Sequence, residues 1–137
     1  MKRSLAGKIT KISYFLILIT VFSVISSQIS SDASFIYLKG IASWYSEFSP
    51  GIRPTTANME IFDHDKMTCA MWGVPFDTVV DVTNLRNGKT VTVRVNDRGP
   101  ARRLCRQGRV VDLTMGAFKR IEDPEKGLAM VKLRILK

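Results

Sequence analysis

The sequence predicts a small, mainly β domain that closes into a barrel and carries one short helix. Three observations predict it. Residues 36–45, 79–85, 89–96 and 128–136 are rich in β-branched and aromatic side chains, with polar and apolar positions alternating. Asn87-Gly88 separates two of these runs and is the dipeptide of a tight hairpin, because both residues tolerate positive φ. Strands this short and few leave exposed edges unless the sheet closes on itself.

Residues 1–33 stand outside this pattern. They open with Lys2, Arg3, Lys8 and Lys11, continue as an apolar run over residues 12–25, and end in small and polar residues. A basic start, an apolar middle and a small-residue exit describe a secretory signal peptide, with cleavage between residues 26 and 33. An uncleaved N-terminal anchor is the alternative, although the run is short against the roughly 20 apolar residues of a membrane span. This segment has no cysteine to carry an N-terminal lipid. The expectation is an exported chain, in the periplasm or cell envelope, that is not a lipoprotein and has no membrane contact beyond the signal. Its domain is residues 34–137.

Within that domain, residues 36–45 read as the first strand and residues 46–60 as a loop punctuated by Pro50-Gly51 and Pro54. Residues 79–85 and 89–96 form the hairpin. Val91, Val93 and Val95 share one face of the returning strand, and by the same parity Asp97 projects on the valine side. Residues 109–112 are a short strand. Residues 113–121 place Leu113, Ala117, Phe118 and Ile121 at helical spacing, with Thr114 as cap and Asp123-Pro124 as stop. Residues 128–136 alternate, with Val131, Leu133 and Ile135 against Lys132 and Arg134.

The formal net charge of +9 falls to +6 once Lys2, Arg3, Lys8, Lys11 and Asp32 are set aside. Arg98, Arg102, Arg103, Arg106 and Arg109 cluster after Asp97, a patch that suits polyanions or acidic sugars, or else a solvated basic loop. No nucleic-acid-binding motif is present, and an exported chain rarely meets nucleic acid. Two cysteines in an exported protein, Cys69 and Cys105, point to a disulfide; the alternative is two free thiols. The single His64 has no cysteine or histidine at ligand spacing, so no metal or cofactor is expected. A monomer is expected.

Six ordered blocks carry a resemblance. They are Gly40-Ile41-Ala42-Ser43-Trp44-Tyr45, Thr56-Ala57-Asn58-Met59-Glu60-Ile61-Phe62-Asp63, Val74-Pro75-Phe76-Asp77-Thr78, Val82-Thr83-Asn84-Leu85 through Gly88, Val95-Asn96-Asp97-Arg98-Gly99-Pro100, and Gly108-Arg109-Val110-Val111-Asp112-Leu113-Thr114. Together they resemble the rare lipoprotein A (RlpA-like) family over residues 39–136. The resemblance implies a six-stranded double-psi β-barrel with one or two short helices. It implies a lytic transglycosylase of peptidoglycan glycan strands, preferring strands without stem peptides and leaving 1,6-anhydro-muramyl ends. The family's two acids fall on Glu60 and Asp97. Its histidine, in an Ala-Ala-His run, falls on Met71 of Cys69-Ala70-Met71. This departure leaves open a non-catalytic wall-binding or septal protein, and the barrel type, which resembles that of cellulases and expansin-like proteins, leaves open a glycoside hydrolase.

Lytic transglycosylation needs one carboxylic acid to protonate the glycosidic oxygen and then, as base, to take the proton of the C6 hydroxyl that closes on C1. No water has to be held, so the carboxylate spacing of hydrolases does not apply strictly. Asp97, at a strand mouth, is the candidate acid/base, and Glu60 the candidate that tunes it or stabilises oxocarbenium-like charge. Asn96 and Arg98 flank Asp97, Thr56 and Asn58 flank Glu60, and Trp44 and Tyr45 offer rings for sugar stacking; these six are candidate substrate contacts. Asp112, just before a helix, reads as a structural cap or ion-pair partner.

Overall fold

The computed structural model describes residues 34–136. The signal-segment expectations lie outside the described residues. Six strands run β1 (Phe35–Tyr45), β2 (Thr68–Ala70), β3 (Val79–Asn84), β4 (Thr90–Asp97), β5 (Arg109–Thr114) and β6 (Ala129–Leu136). They close a barrel in the order β1-β5-β2-β4-β3-β6, with β6 returning to β1. β1/β5 and β2/β4 are parallel pairs; the other contacts are antiparallel. The mainly β fold, closed six-stranded barrel and short helices follow the expected class. The helices are α1 (Arg102–Cys105), α2 (Met115–Lys119) and a 3-10 turn, Pro124–Lys126.

The alternating side chains fill the barrel. Val80, Val82, Val93, Val95, Val111, Leu113, Val131 and Leu133 are buried from four strands, and Phe118 and Ile121 enter from α2 and the turn after it. Burying each large apolar side chain contributes about 1.5–3 kcal/mol. β1 and β5 approach closely at Gly40: a Cβ there would stand 2.4 Å from Val110 Cγ1 and 2.9 Å from the Gly108 carbonyl oxygen. No larger residue fits that crossing.

Four local features differ from expectation. β2 is only three residues long and carries no alternation to read, yet it sits at the centre of the β5-β2-β4 segment. The short strand expected at 109–112 continues to Thr114, so the helix starts at Met115; Thr114 still caps it, accepting from Ala117 N. α1 has no apolar periodicity and buries no residue. In the β3–β4 turn Gly88 has φ 73°, but Asn87 is not in the left-handed region. Its side chain instead donates to the Ile121 carbonyl and accepts from Lys89 N, which ties the hairpin to the end of α2.

Candidate active site

The site lies where the loop from Ser46 to Phe62 covers the outer flank of β1, β5, β2 and β4. A second apolar cluster, Tyr45, Phe62 and Ala70 with Ile52, seals the loop onto the barrel wall. Tyr45 and Phe62 stack with ring centroids 4.9 Å apart. The tip of the loop is cinched by its own polar groups. Thr56 N donates to the Glu60 carbonyl, Thr56 Oγ1 to Asn58 Oδ1, and Asn58 Nδ2 to Glu60 Oε1. Thr56 is buried, so it and Asn58 shape the loop from within.

Pairing register sets the position of Asp97. Cys69 of β2 lies opposite Val95, but Ala70 lies opposite Asp97, so β4 bulges at Asn96. The bulge shifts Asp97 from the valine face, where parity had placed it, to the outer row. Ala70 pairs on its other side with Asp112, and Asp112 with Ser43. One cross-strand row therefore reads Asp97, Ala70, Asp112, Ser43. Asp97 Oδ1 accepts from two backbone groups, Ala57 N at 2.9 Å and Arg98 N at 2.8 Å. Among the described residues no hydrogen bond engages Oδ2. The carboxyl lines a cleft of about 470 Å³ with Arg53, Thr55, Met59, Phe62 and Arg98. The cleft continues past Ile52 and Arg53 toward Glu47 and Ile61.

Glu60 occupies the same loop but a different environment, and it is not among the residues lining the cleft. Both its oxygens are held by Arg94, at 2.7 and 2.8 Å, and further by Asn58 and Asn96. The Arg94 guanidinium and these amides lower its carboxyl to about 2. Glu60 is thus a fixed anion already neutralised by Arg94, and it offers no proton near neutral pH. The loop joins the two acids through backbone, with Asn58 N donating to the Asn96 carbonyl.

Asp112 is the residue that sequence reasoning set aside. It accepts a short hydrogen bond from Ser43 Oγ, and a Cβ placed on Gly99 would stand 3.4 Å from its Oδ2. Burial raises its pKa and the charge of Asp97 adds to the rise, while Ser43 and Arg109 oppose it. Tyr45 is raised far above the ordinary phenol range by burial, then by Asp97, Cys69 and Asp112. Its buried hydroxyl has no hydrogen-bond partner among the described residues. Two carboxyls and a phenol with a free donor thus converge beneath the Gly99-Pro100 turn. The spacing of 97 and 112 in sequence holds no sign of this; only the pairing of both with Ala70 reveals it.

Two expectations are corrected. Trp44 is not among the residues lining the cleft: it shares the inward parity of Ala42, packs on the barrel core and donates Nε1 to the Pro124 carbonyl at 3.0 Å. The ring faces of Tyr45 are likewise engaged by its own cluster, and only its hydroxyl is left over. The Cys69–Cys105 bridge is not formed. Cys69 points into the barrel core, its thiol pushed up to about 12 by burial, whereas Cys105 on α1 donates to the Pro100 carbonyl. Met71 is also buried in the core, and His64 sits 3.4 Å from Glu47 and against Phe48, away from the Asp97 cleft.

Comparison with known proteins agrees with this architecture. The sequence family described as lytic transglycolase matches residues 37–133. The chain is 47% identical over 97 residues to the probable endolytic peptidoglycan transglycosylase RlpA of Synechocystis, covering 71% of this chain and 28% of that protein. It is 44% identical over 103 residues to the endolytic peptidoglycan transglycosylase RlpA of Pseudomonas aeruginosa, covering 75% and 28%. The chain therefore spans between a quarter and a third of the length of these curated relatives. Among solved structures, the Streptomyces papain inhibitor superposes with a TM-score of 0.57 at 19% identity, covering 74% of this chain and 96% of that one. A Clavibacter michiganensis expansin gives 0.57 at 23%, covering 74% and 51%. These two likenesses concern the fold.

Proposed function

The chain belongs to the RlpA-like lytic transglycosylase family, and from that premise we propose that it cleaves peptidoglycan glycan strands in the cell envelope. The reaction leaves 1,6-anhydro-muramyl ends and serves wall remodelling at the septum, on strands without stem peptides. The observation that carries this reading is the Asp97 carboxyl: one oxygen is fixed by two backbone N–H groups, the other takes part in no hydrogen bond among the described residues, and the residue lines the cleft. A general acid needs that combination of fixed geometry and access.

In this mechanism Asp97 Oδ2 gives its proton to the glycosidic oxygen as the C1–O bond breaks. The resulting carboxylate then takes the proton of the C6 hydroxyl as its oxygen bonds to C1. Asp112 stands in the same cross-strand row as Asp97, with Ala70 between them. The unpartnered Tyr45 hydroxyl supplies a donor for charge developing near the pair. Glu60, neutralised by Arg94 and outside the cleft, holds the loop that carries Ala57 against Asp97.

Asp97→Asn is expected to abolish release of anhydro-muramyl products from purified peptide-free glycan while leaving the thermal unfolding transition in place. Undiminished release by that variant rules out the acid/base role. A second reading, a binder without turnover, is favoured by Met71, whose buried thioether puts no ionisable group where the family has histidine. Co-sedimentation with glycan and no products would select it, and reducing ends in place of anhydro ends would select hydrolysis.

A further inference from the structure

Some of the described arginines are neutralised by carboxylates and others are not. Arg86, Arg94 and Arg134 are each neutralised by a carboxylate at 2.6–2.7 Å. Arg53 and Arg98, which line the cleft with Asp97, take part in no salt bridge among the described residues. Arg98 is nevertheless fixed. Its guanidinium lies 3.8 Å over the Phe76 ring, and Nη1 donates to the Met71 carbonyl at 2.9 Å. The 71–76 loop that holds it is itself anchored, because Trp72 Nε1 donates to the Pro100 carbonyl at 2.7 Å and Arg102 stacks on the Trp72 ring. A guanidinium held by an aromatic face and one carbonyl keeps its remaining N–H edges for an anion, and its ordering cost is already met by the fold.

A glycan strand offers one anion for such a site. The lactyl group of a muramyl sugar ends in an amide when a stem peptide is attached and in a free carboxylate when the peptide has been removed. We propose that Arg98 and Arg53 form a carboxylate subsite that reads the free lactyl group of a peptide-free muramyl residue next to Asp97. The subsite rests on the glycan-strand reading above and gives it a physical basis for preferring stripped strands. With the amide in place, the two guanidiniums lose their counter-charge and remain beside a neutral group, so selectivity comes from the unpaired cations as well as from the pair formed.

The test measures binding of soluble peptide-free glycan fragments to the full chain by calorimetry. The same fragments are then measured after their lactyl carboxylates have been converted to methylamides. The native protein is expected to bind the carboxylate form at least about tenfold more tightly at low salt. Arg53→Gln with Arg98→Gln should bring the two affinities together, by weakening binding of the carboxylate form. Arg103→Gln with Arg106→Gln removes the same charge from exposed positions and should keep the preference, with circular dichroism confirming the fold of both double variants. Equal native affinity for the two glycans overturns the subsite. So does an equal loss in the Arg103/Arg106 control, which would mean a diffuse basic field. Anhydro ends released equally from both glycans would leave the transglycosylase reading intact and remove the subsite; a carboxylate preference without anhydro ends would do the reverse.

Discussion

At Asp112 the carboxyl accepts from the Ser43 hydroxyl on β1 and is influenced by Arg109 on its own strand and Asp97 on β4. Burial makes its ionisation unfavourable, so its folded pKa is raised. Stability linked to a raised acid is complete below its unfolded pKa, near 3.9, and is lost as pH rises through the folded value. Asp112→Asn removes that loss and keeps an acceptor for Ser43. The variant should therefore be at least as stable as the native protein at pH 7 in urea unfolding. Its transglycosylase rate should fall, because the carboxyl that shares a cross-strand row with Asp97 is gone. Glycan affinity should stay unchanged. A variant that loses stability and keeps the native rate would make Asp112 a purely structural residue, which is how its position before a helix first reads.

At the scale of elements, the strands that alternate were legible and those that do not were hidden. β3, β4 and β6 fall where Val80/Val82, Val91/Val93/Val95 and Val131/Leu133/Ile135 put them. β2 was missed because three residues cannot show a period, and the same gap hid the site. Without β2 there is no Ala70 to pair with both Asp97 and Asp112, and without that pairing the bulge at Asn96 is invisible. Strand parity is a local rule, and it failed for Asp97 at the place where a neighbouring strand resets the register. The functional blocks were legible through the family resemblance, whereas the inward face of Trp44 followed from parity with Ala42 and could have been read. The β1–β5 crossing gives a test at this scale. Gly40→Ala sets a methyl against Val110 and the Gly108 carbonyl, and the strands must separate to admit it. A loss of about 1–3 kcal/mol is expected from such overpacking, measured as a lowered urea midpoint. Because β1 also carries Ser43 and Tyr45, anhydro-product release should fall with it. An unchanged midpoint would mean that the crossing is looser than the structure describes.

For the barrel as a whole, paired acids and buried thiol and phenol groups bound stability from opposite sides of the pH scale. Glu60 and Glu122 are each lowered to about 2, mainly by Arg94 and by Arg86 respectively, and Asp81 is lowered by Thr92 and Arg134. A lowered carboxyl contributes stability above its unfolded pKa, near 4, and loses it as pH falls through the folded value. Their cationic partners are half-exposed, so solvent screens the pairs and the acid limb should be gradual and weakened by salt. Cys69 and Tyr45 act in the other direction. Their folded pKa values are raised, so the unfolded chain ionises first, from about pH 8.5 for the thiol and about pH 10 for the phenol. From these groups, stability should fall gradually toward about pH 2 and fall again above about pH 8.5. Urea midpoints across this range check the shape, and two variants separate its limbs. Glu60→Gln should be less stable than the native protein at pH 7 by about 1 kcal/mol, a difference that vanishes toward pH 2. Cys69→Ala should lower the midpoint throughout by opening a small cavity, yet start its alkaline decline later, near pH 10, because only the phenol remains to drive it. If the decline still begins at pH 8.5 in that variant, the buried thiol is not its source.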